Sequence, residues 1–257
     1  MMRTHRSASA ADTAAPLRAV SFDAAGTLFH PVRPVGELYA MIAARHGIAA
    51  NPAVLHDRFR AAFRAAPPLA FPPLPQSELR RREKAWWRAV VGEVFSDIAV
   101  ADFDAYFDSL FSFFGSAAAW YADPDAAPLM ARLRAAGLHI LVVSNFDSRV
   151  RGVLAHLGLA GAIDAITISS EAGAAKPDPR IFAHALAGAR LHPDEVLHVG
   201  DTVAEDLLGA RAAGLEVVLV GGPELTAAAP DAACVPRLAE IAAFVARRLP
   251  GGLIAAR

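Results

Sequence analysis

The first long apolar run of the chain ends abruptly at a carboxylate. Residues 17–23 read LRAVSFD and are followed at once by Ala-Ala-Gly-Thr. A strand that is buried on both faces of a parallel sheet has this continuous apolar character, and its carboxyl end lies at the sheet edge where ligands bind. The pattern therefore predicts a central strand that presents Asp23 at that edge.

Residues 30–122 show helical periodicity and no further strong strand pattern. Within them, the segment 67–75 (PPLAFPPLP) is predicted to be a loop, because proline fixes φ and removes a hydrogen-bond donor. On either side of this loop, apolar residues recur at the spacing of a helix face. The predicted helices span residues 35–46, 54–65, 77–95 and 104–114.

From residue 123 onward, short apolar strands alternate with helices. The predicted strands are 138–144, 165–169, 195–200 and 216–220, and the predicted helices are 126–136, 148–157, 179–189 and 204–213. Such alternation is typical of a doubly wound parallel sheet, so the predicted fold class is α/β. One strand precedes the helical block and the others follow it. Residues 30–122 are therefore predicted to be a helical cap domain, inserted into a core domain made of residues 17–29 and 123–257.

Composition limits the partners that the protein can have. The chain has 257 residues, of which 54% are apolar, enough for one large α/β domain with a smaller insertion. Its formal charge of −1 gives no field that would attract nucleic acid or an anionic membrane surface. No apolar stretch has the length of a membrane span. We therefore expect a small-molecule partner that is recognised by a local site, without nucleic acid or membrane.

Cysteine content and the N-terminal composition bear on where the protein works. Cys234 is the lone cysteine, so neither an internal disulfide nor a thiolate metal cage can form. The first 16 residues are rich in Ala, Ser, Thr and Arg and lack the apolar run of a secretory signal. We expect a mobile N-terminal tail over residues 1–16 and a reducing, cytoplasmic location.

Polar side chains follow the first two predicted strands of the core. Asp23 precedes Gly26 and Thr27 in a tight turn where a carboxylate, backbone N–H groups and a hydroxyl converge. Ser144 and Asn145 end the strand VVSN, and their side chains can hydrogen-bond an oxyanion. Taken singly, Asp23 is as readily a turn cap, and the Ser-Asn pair is more readily explained by turn chemistry.

Two further polar groups follow later strands. Lys176, one of only two lysines, precedes a proline and the N-terminus of a predicted helix, where it could neutralise a carboxylate or a phosphoryl group. The sequence GDTVAED then places Asp201, Glu205 and Asp206 after another strand, and carboxylates of this kind can hold a hard cation. A solvated lysine, and helix capping by Asp201 beside a surface acidic pair, are the alternatives for each group alone.

These four groups occur in the order Asp-x-x-Gly-Thr, Ser-Asn, Lys-Pro and Gly-Asp-x-x-x-x-Asp, each at a predicted strand end or in the loop after it. The sequence thereby resembles the haloacid dehalogenase-like (HAD) hydrolase superfamily over essentially all of residues 17–250. The helical insertion resembles the C1-type cap of its subfamily I. More narrowly, FDAAGTLFHPVRPVGELYA, VVSNFD, KPDPRIF and the tandem Trp86-Trp87 are similar to the branch typified by haloacid dehalogenase-like hydrolase domain-containing protein 3.

The resemblance implies a hydrolase with a HAD-like Rossmannoid core, an aspartate nucleophile and Mg²⁺. A phosphatase-type activity on a small phosphorylated metabolite is the first expectation. Asp23 would attack the substrate, Ser144 would orient the transferring group and Lys176 would hold its charge. The implied site residues are catalytic Asp23, Ser144, Lys176 and Asp201; substrate-binding Gly26, Thr27 and Asn145; and magnesium-binding Asp23, Ala25 through its carbonyl, Asp201 and Asp206, the last near the ion or outside its direct ligands.

Ala25 departs from the pattern that the resemblance implies. Phosphatases of the superfamily usually carry a second aspartate at this position, as the general acid that protonates the leaving alkoxide. Alanine cannot transfer a proton, and loss of a general acid typically costs about 100- to 10,000-fold in rate. The expected phosphohydrolase therefore acts on substrates with good leaving groups, such as acyl or aryl phosphates, or takes a proton from elsewhere. His30 is the nearest titratable residue after the turn, although a loop histidine without such a role is the simpler interpretation.

Two other classes of function remain open. A haloacid dehalogenase or a phosphonate hydrolase needs no acid at Ala25. The acidic GDTVAED sequence argues against a dehalogenase. A phosphonate hydrolase would require Lys84 to form a Schiff base with the substrate. Lys84 lies in the run RRREK, which is more readily a solvated helix face. A non-catalytic protein that binds phosphorylated metabolites is the third possibility, because fold does not fix function.

Substrate specificity is expected to lie in the insertion. Arg33 is the favoured substrate-binding candidate, because it follows the active-site turn, whereas Trp86 and Trp87 are more readily core residues. No heptad or exposed apolar strand predicts an oligomeric state. The candidates to line the substrate space are Phe29, His30, Arg33, Phe71, Trp86 and Trp87.

Overall fold

A six-stranded parallel sheet forms the centre of the structure. The computed structural model describes residues 16–249 of the chain. The strands within them are β1 (Ala19–Phe22), β2 (Phe29–Pro31), β3 (Trp120–Ala122), β4 (His139–Ser144), β5 (Ala165–Ile168), β6 (Val196–Gly200), β7 (Glu216–Val220) and β8 (Ala233–Val235). The sheet has the order β5-β4-β1-β6-β7-β8 with all pairs parallel. The first strand in the sequence is thus flanked on both sides by later ones.

Helices connect the strands and cover both faces of the sheet. The α-helices within residues 16–249 are α1 (Val35–Arg45), α2 (Pro52–Ala65), α3 (Gln76–Val94), α4 (Phe103–Phe114), α5 (Ala126–Ala135), α6 (Val150–His156), α7 (Ser169–Ala172), α8 (Pro179–Ala189), α9 (Gly209–Ala212), α10 (Pro223–Ala228) and α11 (Ile241–Ala246). A π-helix, Val203–Leu208, precedes α9. The predicted α/β class with a doubly wound parallel sheet is confirmed.

Alternate residues of the strands build the cores on the two faces of the sheet. In β1, Val20 and Phe22 belong to one buried cluster and Ala19 to the other. In β4, Val142 belongs to the first of these clusters and Val143 to the second. Because both faces are buried, these strands are apolar throughout, which is why their sequences read as continuous runs.

The four helices α1–α4 lie between β2 and β3 and pack around an apolar cluster of their own, which includes Tyr39, Leu55, Val91 and Tyr106. The strands β2 and β3 pair antiparallel with Phe29 opposite Ala122 and so bring the two ends of this insertion together. Sequence periodicity did not predict these strands, because three residues are too few to show an alternating pattern. The predicted domain limits coincide with this two-stranded ribbon, and the division into core and cap domains stays a prediction.

Most predicted element bounds lie within about two residues of the observed ones, the usual disagreement between methods of assigning helix ends. The main correction concerns residues 204–213, where the structure has the π-helix followed by α9 and not one α-helix. The short elements α7, β8, α10 and α11 were also not predicted. Except for Pro16, the predicted tail lies outside the described residues. Over residues 16–249, no helix combines the length and apolarity that crossing a membrane would need.

Candidate active site

Four neighbouring strands deliver the predicted polar groups to one edge of the sheet. Asp23 follows β1, Ser144 is the last residue of β4, and Asp201 follows β6. Lys176 lies in the segment between α7 and α8, beyond the end of β5. These strands are adjacent in the order β5-β4-β1-β6, so their carboxyl ends meet around Asp23. This is the crevice where open α/β sheets bind ligands.

Lys176 is the positive centre of the site. Its Nζ lies 2.5 Å from Oδ1 of Asp23 and 2.6 Å from Oδ1 of Asp206, and all three side chains are buried. Burial lowers the pKa of Lys176, but the negative charges of Asp23 and Asp206 outweigh this effect and hold the pKa above its ordinary value. The lysine is therefore a permanent cation between two carboxylates, and the solvated alternative for it is excluded.

Asp206 holds Lys176 in place. Besides the lysine, its Oδ1 contacts Nε2 of His198 at 3.2 Å, while its Oδ2 accepts hydrogen bonds from the backbone N–H groups of Asp201 and Thr202 and from the Thr202 hydroxyl. Burial raises the pKa of Asp206, but Lys176 and His198 outweigh burial and bring the pKa below its usual range. Both oxygens of Asp206 are thus engaged within the protein. This favours a supporting role outside the direct metal ligands.

The chain approaches Asp206 closely because of Gly200. A Cβ at Gly200 would lie 2.2 Å from Cγ of Asp206, so only glycine fits there. The π-helix that starts after Thr202 places Asp206 over this position, and π-turns of this kind occur frequently at functional sites.

A buried polar pair supports Asp206 from within the sheet. Ser21 of β1 and His198 of β6 are register partners, and the serine Oγ lies 2.9 Å from Nδ1 of the histidine. Because His198 also contacts Asp206, the side chains form a continuous chain from Ser21 to Lys176. A buried polar network that is fully hydrogen-bonded fixes the geometry of its members. It thereby holds the lysine against Asp23.

The carboxylate of Asp201 is close enough to Asp23 for their charges to interact, and it lacks a positive partner in direct contact. The Thr27 hydroxyl donates to its Oδ1 at 3.3 Å. Burial raises the pKa of Asp201 to about 7, and the negative charges of Asp23 and Asp206 add to the rise. Burial also raises the pKa of Asp23, despite the opposing charge of Lys176. One lysine does not neutralise these carboxylates, so the site favours a further cation.

The residues present fit a hard divalent cation. Carboxylate and carbonyl oxygens are the ligands that Mg²⁺ prefers. Asp23 and Asp201 supply two carboxylates, and the carbonyl of Ala25 makes no backbone hydrogen bond within the described residues. Over residues 16–249, no three side chains of His, Cys, Asp or Glu are arranged as a metal cluster. A magnesium site here would therefore combine two carboxylates, a backbone carbonyl and oxygens from substrate or water.

Ser144 and Asn145 have different surroundings, although they are neighbours. Ser144 is buried, and its hydroxyl makes no hydrogen bond to any residue of the described chain, so it can bind a substrate oxygen. Asn145 accepts from the backbone N–H of Lys176 at 2.7 Å and donates both to the carbonyl of Lys176 and to Glu205. Its amide is fully used, so Asn145 positions the Lys176 segment, in place of the substrate contact that we predicted for it.

Thr27 contacts the site through Asp201, whereas His30 and Arg33 make other contacts. The hydroxyl of Thr27 bonds Asp201, which makes it a support for the carboxylate. His30 lies in β2, where its Nε2 is 3.4 Å from Asp123, and Arg33 is an exposed residue that pairs with Glu37. Neither His30 nor Arg33 makes a hydrogen bond to the Asp23–Lys176–Asp206 cluster within residues 16–249.

Comparison with known proteins agrees with this geometry. The family model described as haloacid dehalogenase-like hydrolase matches residues 17–214. The chain belongs to the haloacid dehalogenase-like hydrolase family. It is 37% identical over 212 residues to human haloacid dehalogenase-like hydrolase domain-containing protein 3, covering 81% of this chain and 83% of that protein.

Solved structures of the family share the fold of this hydrolase. A dehalogenase structure superposes with a TM-score of 0.66 at 24% identity and covers 89% of this chain and 96% of its own. A HAD phosphatase from Thermococcus onnurineus gives a TM-score of 0.61 at 20% identity, with 93% and 100% covered. Both kinds of enzyme share this architecture, so the fold does not distinguish them.

The sequence did not predict the side-chain contacts that tie the insertion to the site. Glu83 of α3 is buried, and it accepts hydrogen bonds from the backbone N–H and the hydroxyl of Ser148 and from the Ser170 hydroxyl. One turn further along α3, Nε1 of Trp87 donates to Asp147 at 2.6 Å. Asp147 and Ser148 lie just after Asn145, so these hydrogen bonds fasten α3 to the loop that carries Asn145. The sequence contained one signal for these contacts: Glu83 and Trp87 are four residues apart and therefore lie on the same face of α3.

The Gly26→Ala variant of the hydrolase is expected to lose both stability and activity. Gly26 has φ +107°, and a Cβ there would lie 2.4 Å from Oδ2 of Asp201. The strained backbone costs about 1–3 kcal/mol. The added methyl group would push the Asp201 carboxylate aside, and a displacement of about 1 Å is expected to lower turnover by about 100-fold. Thermal unfolding and steady-state hydrolysis measure the two effects.

Gly47→Ala separates these effects. Gly47 also has a positive φ, +72°, but a Cβ there would meet nothing within 4 Å. The control variant should lose stability through backbone strain alone and keep wild-type turnover. Equal turnover in the Gly26 and Gly47 variants would show that the close approach to Asp201 has no functional consequence.

Proposed function

We propose that this hydrolase is a magnesium-dependent phosphohydrolase that uses Asp23 as its nucleophile on a small phosphorylated metabolite. The observation that carries the proposal is the pair of contacts made by Lys176, at 2.5 Å to Asp23 and 2.6 Å to Asp206. A fixed ammonium beside the attacking carboxylate lowers the repulsion that an anionic phosphoryl group would meet. The additional carboxylate of Asp201 provides a further oxygen ligand for a cation.

In the proposed reaction, a carboxylate oxygen of Asp23 attacks phosphorus. The bond from phosphorus to the leaving oxygen breaks, and its electron pair departs on that oxygen. An acyl phosphate then links Asp23 to the phosphoryl group. Water attacks the phosphorus of this intermediate, which releases inorganic phosphate and restores the Asp23 carboxylate.

The other side chains of the site position and neutralise the transferring group. Lys176 faces the phosphoryl oxygens, and the unengaged hydroxyl of Ser144 donates to one of them. A bound Mg²⁺, held by Asp23, Asp201 and the Ala25 carbonyl, would supply charge neutralisation for the phosphoryl oxygens. Asp206, His198 and Ser21 keep Lys176 in register with the nucleophile.

The acidity of the site favours phosphoryl transfer over halide displacement. Asp201 and Asp206 both lie near Asp23, and the negative charge of Asp206 acts to raise the pKa of both Asp23 and Asp201. Such carboxylates require a cation, which a displacement of halide from carbon does not need. Lys84 pairs with Asp108 at 2.8 Å on the exposed side of α3, which supports the solvated-face interpretation and argues against the Schiff-base role that a phosphonate hydrolase would require.

Phosphate release and halide release, each assayed with Mg²⁺ and with EDTA, test the proposal. The panel contains acetyl phosphate, phenyl phosphate, glycerol phosphate and 2-chloropropionate. We expect phosphate release that is lost in EDTA and restored by Mg²⁺, with no halide release. Circular dichroism before and after EDTA treatment checks that the protein stays folded.

The other outcomes identify the competing functions. Halide release that persists in EDTA would establish a dehalogenase. Binding of a phosphorylated compound without turnover, in a folded sample with Mg²⁺, would establish a non-catalytic binding protein. Either result would overturn the phosphohydrolase proposal.

A further inference from the structure

An apolar cavity of about 80 Å³ lies where the four-helix insertion meets the core. A single water molecule needs only about 10–15 Å³, so the cavity can hold a group several times larger than one water molecule. Both parts of the chain contribute walls. The walls include Tyr39 of α1, Trp87 and Val91 of α3, Trp120 of β3, and Phe146 and Arg149 of the core.

One wall residue of the cavity is the sequence neighbour of a residue of the candidate active site. Phe146 lines it and directly follows Asn145, whose side chain braces the Lys176 segment. The rings of Phe146 and Trp120 lie 6.2 Å and 5.1 Å, centroid to centroid, from Phe29. The carbonyl of Phe29 in turn accepts the backbone N–H of Gly26 in the active-site turn. Ring contacts and one backbone hydrogen bond thus connect the walls of the cavity to the turn that follows Asp23.

The one charged side chain among the walls is already neutralised. Arg149 forms paired hydrogen bonds with the buried carboxylate of Asp147 and a third with the carbonyl of Phe111. Its guanidinium lies 3.6 Å from the centroid of the Phe111 ring, stacked on the aromatic face. An anionic ligand would gain little from a cation that is bound in this way. The cavity favours an uncharged, apolar group over a second phosphate or a carboxylate.

Tyr39 adds one polar atom to this apolar surface. The side chain is 2% exposed, and its hydroxyl makes no hydrogen bond to any residue between 16 and 249. A tyrosine hydroxyl that has no protein partner can donate a hydrogen bond to an oxygen atom of a ligand. The cavity therefore suits an aromatic ring that carries an oxygen, more than a saturated hydrocarbon.

Ala25 restricts the leaving group in a second, independent way. With no acid at this position, the leaving oxygen must depart with its electron pair and take its proton from water afterwards. A phenolate tolerates this because its ring delocalises the negative charge, whereas an alkoxide does not. The missing acid and the apolar cavity thus select the same class of compound.

We propose that the cavity binds the aromatic leaving group of the substrate, and that the substrate is an aryl phosphate monoester. This inference rests on the proposed phosphohydrolase function. The phosphorus–oxygen bond breaks, the electron pair leaves on the phenolic oxygen, and the ring occupies the space beside Trp87, Val91 and Phe146. Phosphate is the second product, released from Asp23 by water.

Comparison of phenyl phosphate with acetyl phosphate tests the role of the cavity. Both have leaving groups that need no acid, but only the first has a ring. We expect Val91→Phe, which fills the cavity, to lower kcat/KM for phenyl phosphate by about 10- to 100-fold through a raised KM. The same variant should change kcat/KM for acetyl phosphate by less than about twofold.

Val90→Phe is the matched control. Val90 is also buried in α3, but it is not a wall of the cavity, so the control carries a similar overpacking cost without filling the space. Equal effects of Val90→Phe and Val91→Phe on phenyl phosphate would overturn the proposal, as would equal losses on both substrates in Val91→Phe.

Binding of phenol provides a readout that does not depend on turnover. Trp87 and Trp120 line the cavity, so their fluorescence should change as phenol is titrated into wild type, and the change should be lost in Val91→Phe. Absence of a change in wild type would overturn the inference even if acetyl phosphate is hydrolysed. Saturable phenol binding together with no hydrolysis of any phosphate would instead contradict the phosphohydrolase proposal and leave the cavity assignment in place.

Discussion

Asp23→Asn should abolish magnesium-dependent phosphate release, with a loss of at least about 10,000-fold. The amide has nearly the same shape as the carboxylate, but its nitrogen and oxygen cannot attack phosphorus to form an acyl phosphate. Lys176 keeps Asp206 as a partner, so the ammonium remains held. The loss therefore reports the missing nucleophile and not a displaced lysine.

The same substitution is expected to leave the protein folded and no less stable. Burial raises the pKa of Asp23, and the negative charge of Asp206 adds to this rise, so the ionised carboxylate is disfavoured where it lies. Replacing it by a neutral amide removes that repulsion at the cost of one contact with Lys176. Thermal unfolding in EDTA should show a midpoint at or above that of wild type.

Covalent trapping completes the test of Asp23. Mass spectrometry after rapid acid quenching should detect a phosphoryl adduct on the peptide that contains Asp23 in wild type, and none in Asp23→Asn. Asp108→Asn is the control, since that aspartate pairs with Lys84 on the exposed side of the insertion. Substantial phosphate release by Asp23→Asn, with Asp108→Asn unchanged, would remove Asp23 from the mechanism.

The sheet could be predicted from the sequence because its strands are buried on both faces. Continuous apolar runs such as residues 138–144 have no other simple explanation when helices separate them. Once a doubly wound parallel sheet is inferred, the polar residue at each strand end must lie at one edge. Asp23, Ser144, Lys176 and Asp201 were brought together by this topological argument, and the structure has them at adjacent strand ends.

Contacts between distant segments could not be predicted in this way. His198 is a polar residue within an apolar strand, but its pairing with Ser21 depends on the register of β6 against β1. Glu83 belongs to a charged run whose other members are exposed, and only the packing of α3 on the core shows why this one is buried. Periodicity identifies the face of a helix, whereas the partner of that face depends on tertiary structure.

For a similar reason, the sequence did not show which partner each polar side chain of a motif binds. Asn145 carries an amide that suits an oxyanion, yet the fold uses the amide to bind the Lys176 backbone and Glu205. Glu205 itself was noted only as part of an acidic sequence. In the structure, burial raises its pKa, and the charge of Lys176 opposes the rise. Which donor or acceptor a side chain uses follows from neighbours that are 31 or 60 positions away in sequence.

Ala25→Asp is expected to raise the hydrolysis of alkyl phosphates such as glycerol phosphate by about 100- to 10,000-fold. Ala25 lies two residues after Asp23 and is only partly buried, so a carboxyl group can be accommodated beside the leaving oxygen. An alkoxide is a poor leaving group unless it is protonated as its bond to phosphorus breaks, and the new carboxyl group would supply that proton. Phenyl phosphate should gain little, because its leaving oxygen already departs unprotonated.

Ala25→Asn distinguishes proton transfer from a change in shape or hydrogen bonding. Asparagine has nearly the size of aspartate but cannot act as a general acid, so glycerol phosphate should be hydrolysed no faster than by wild type. The rate of Ala25→Asp on glycerol phosphate should also fall as pH rises through the pKa of the new carboxyl group, because only its protonated form donates. Equal gains in the two variants, or no gain in either, would mean that protonation of the leaving group does not limit this enzyme, and the link between Ala25 and an aromatic leaving group would then fail.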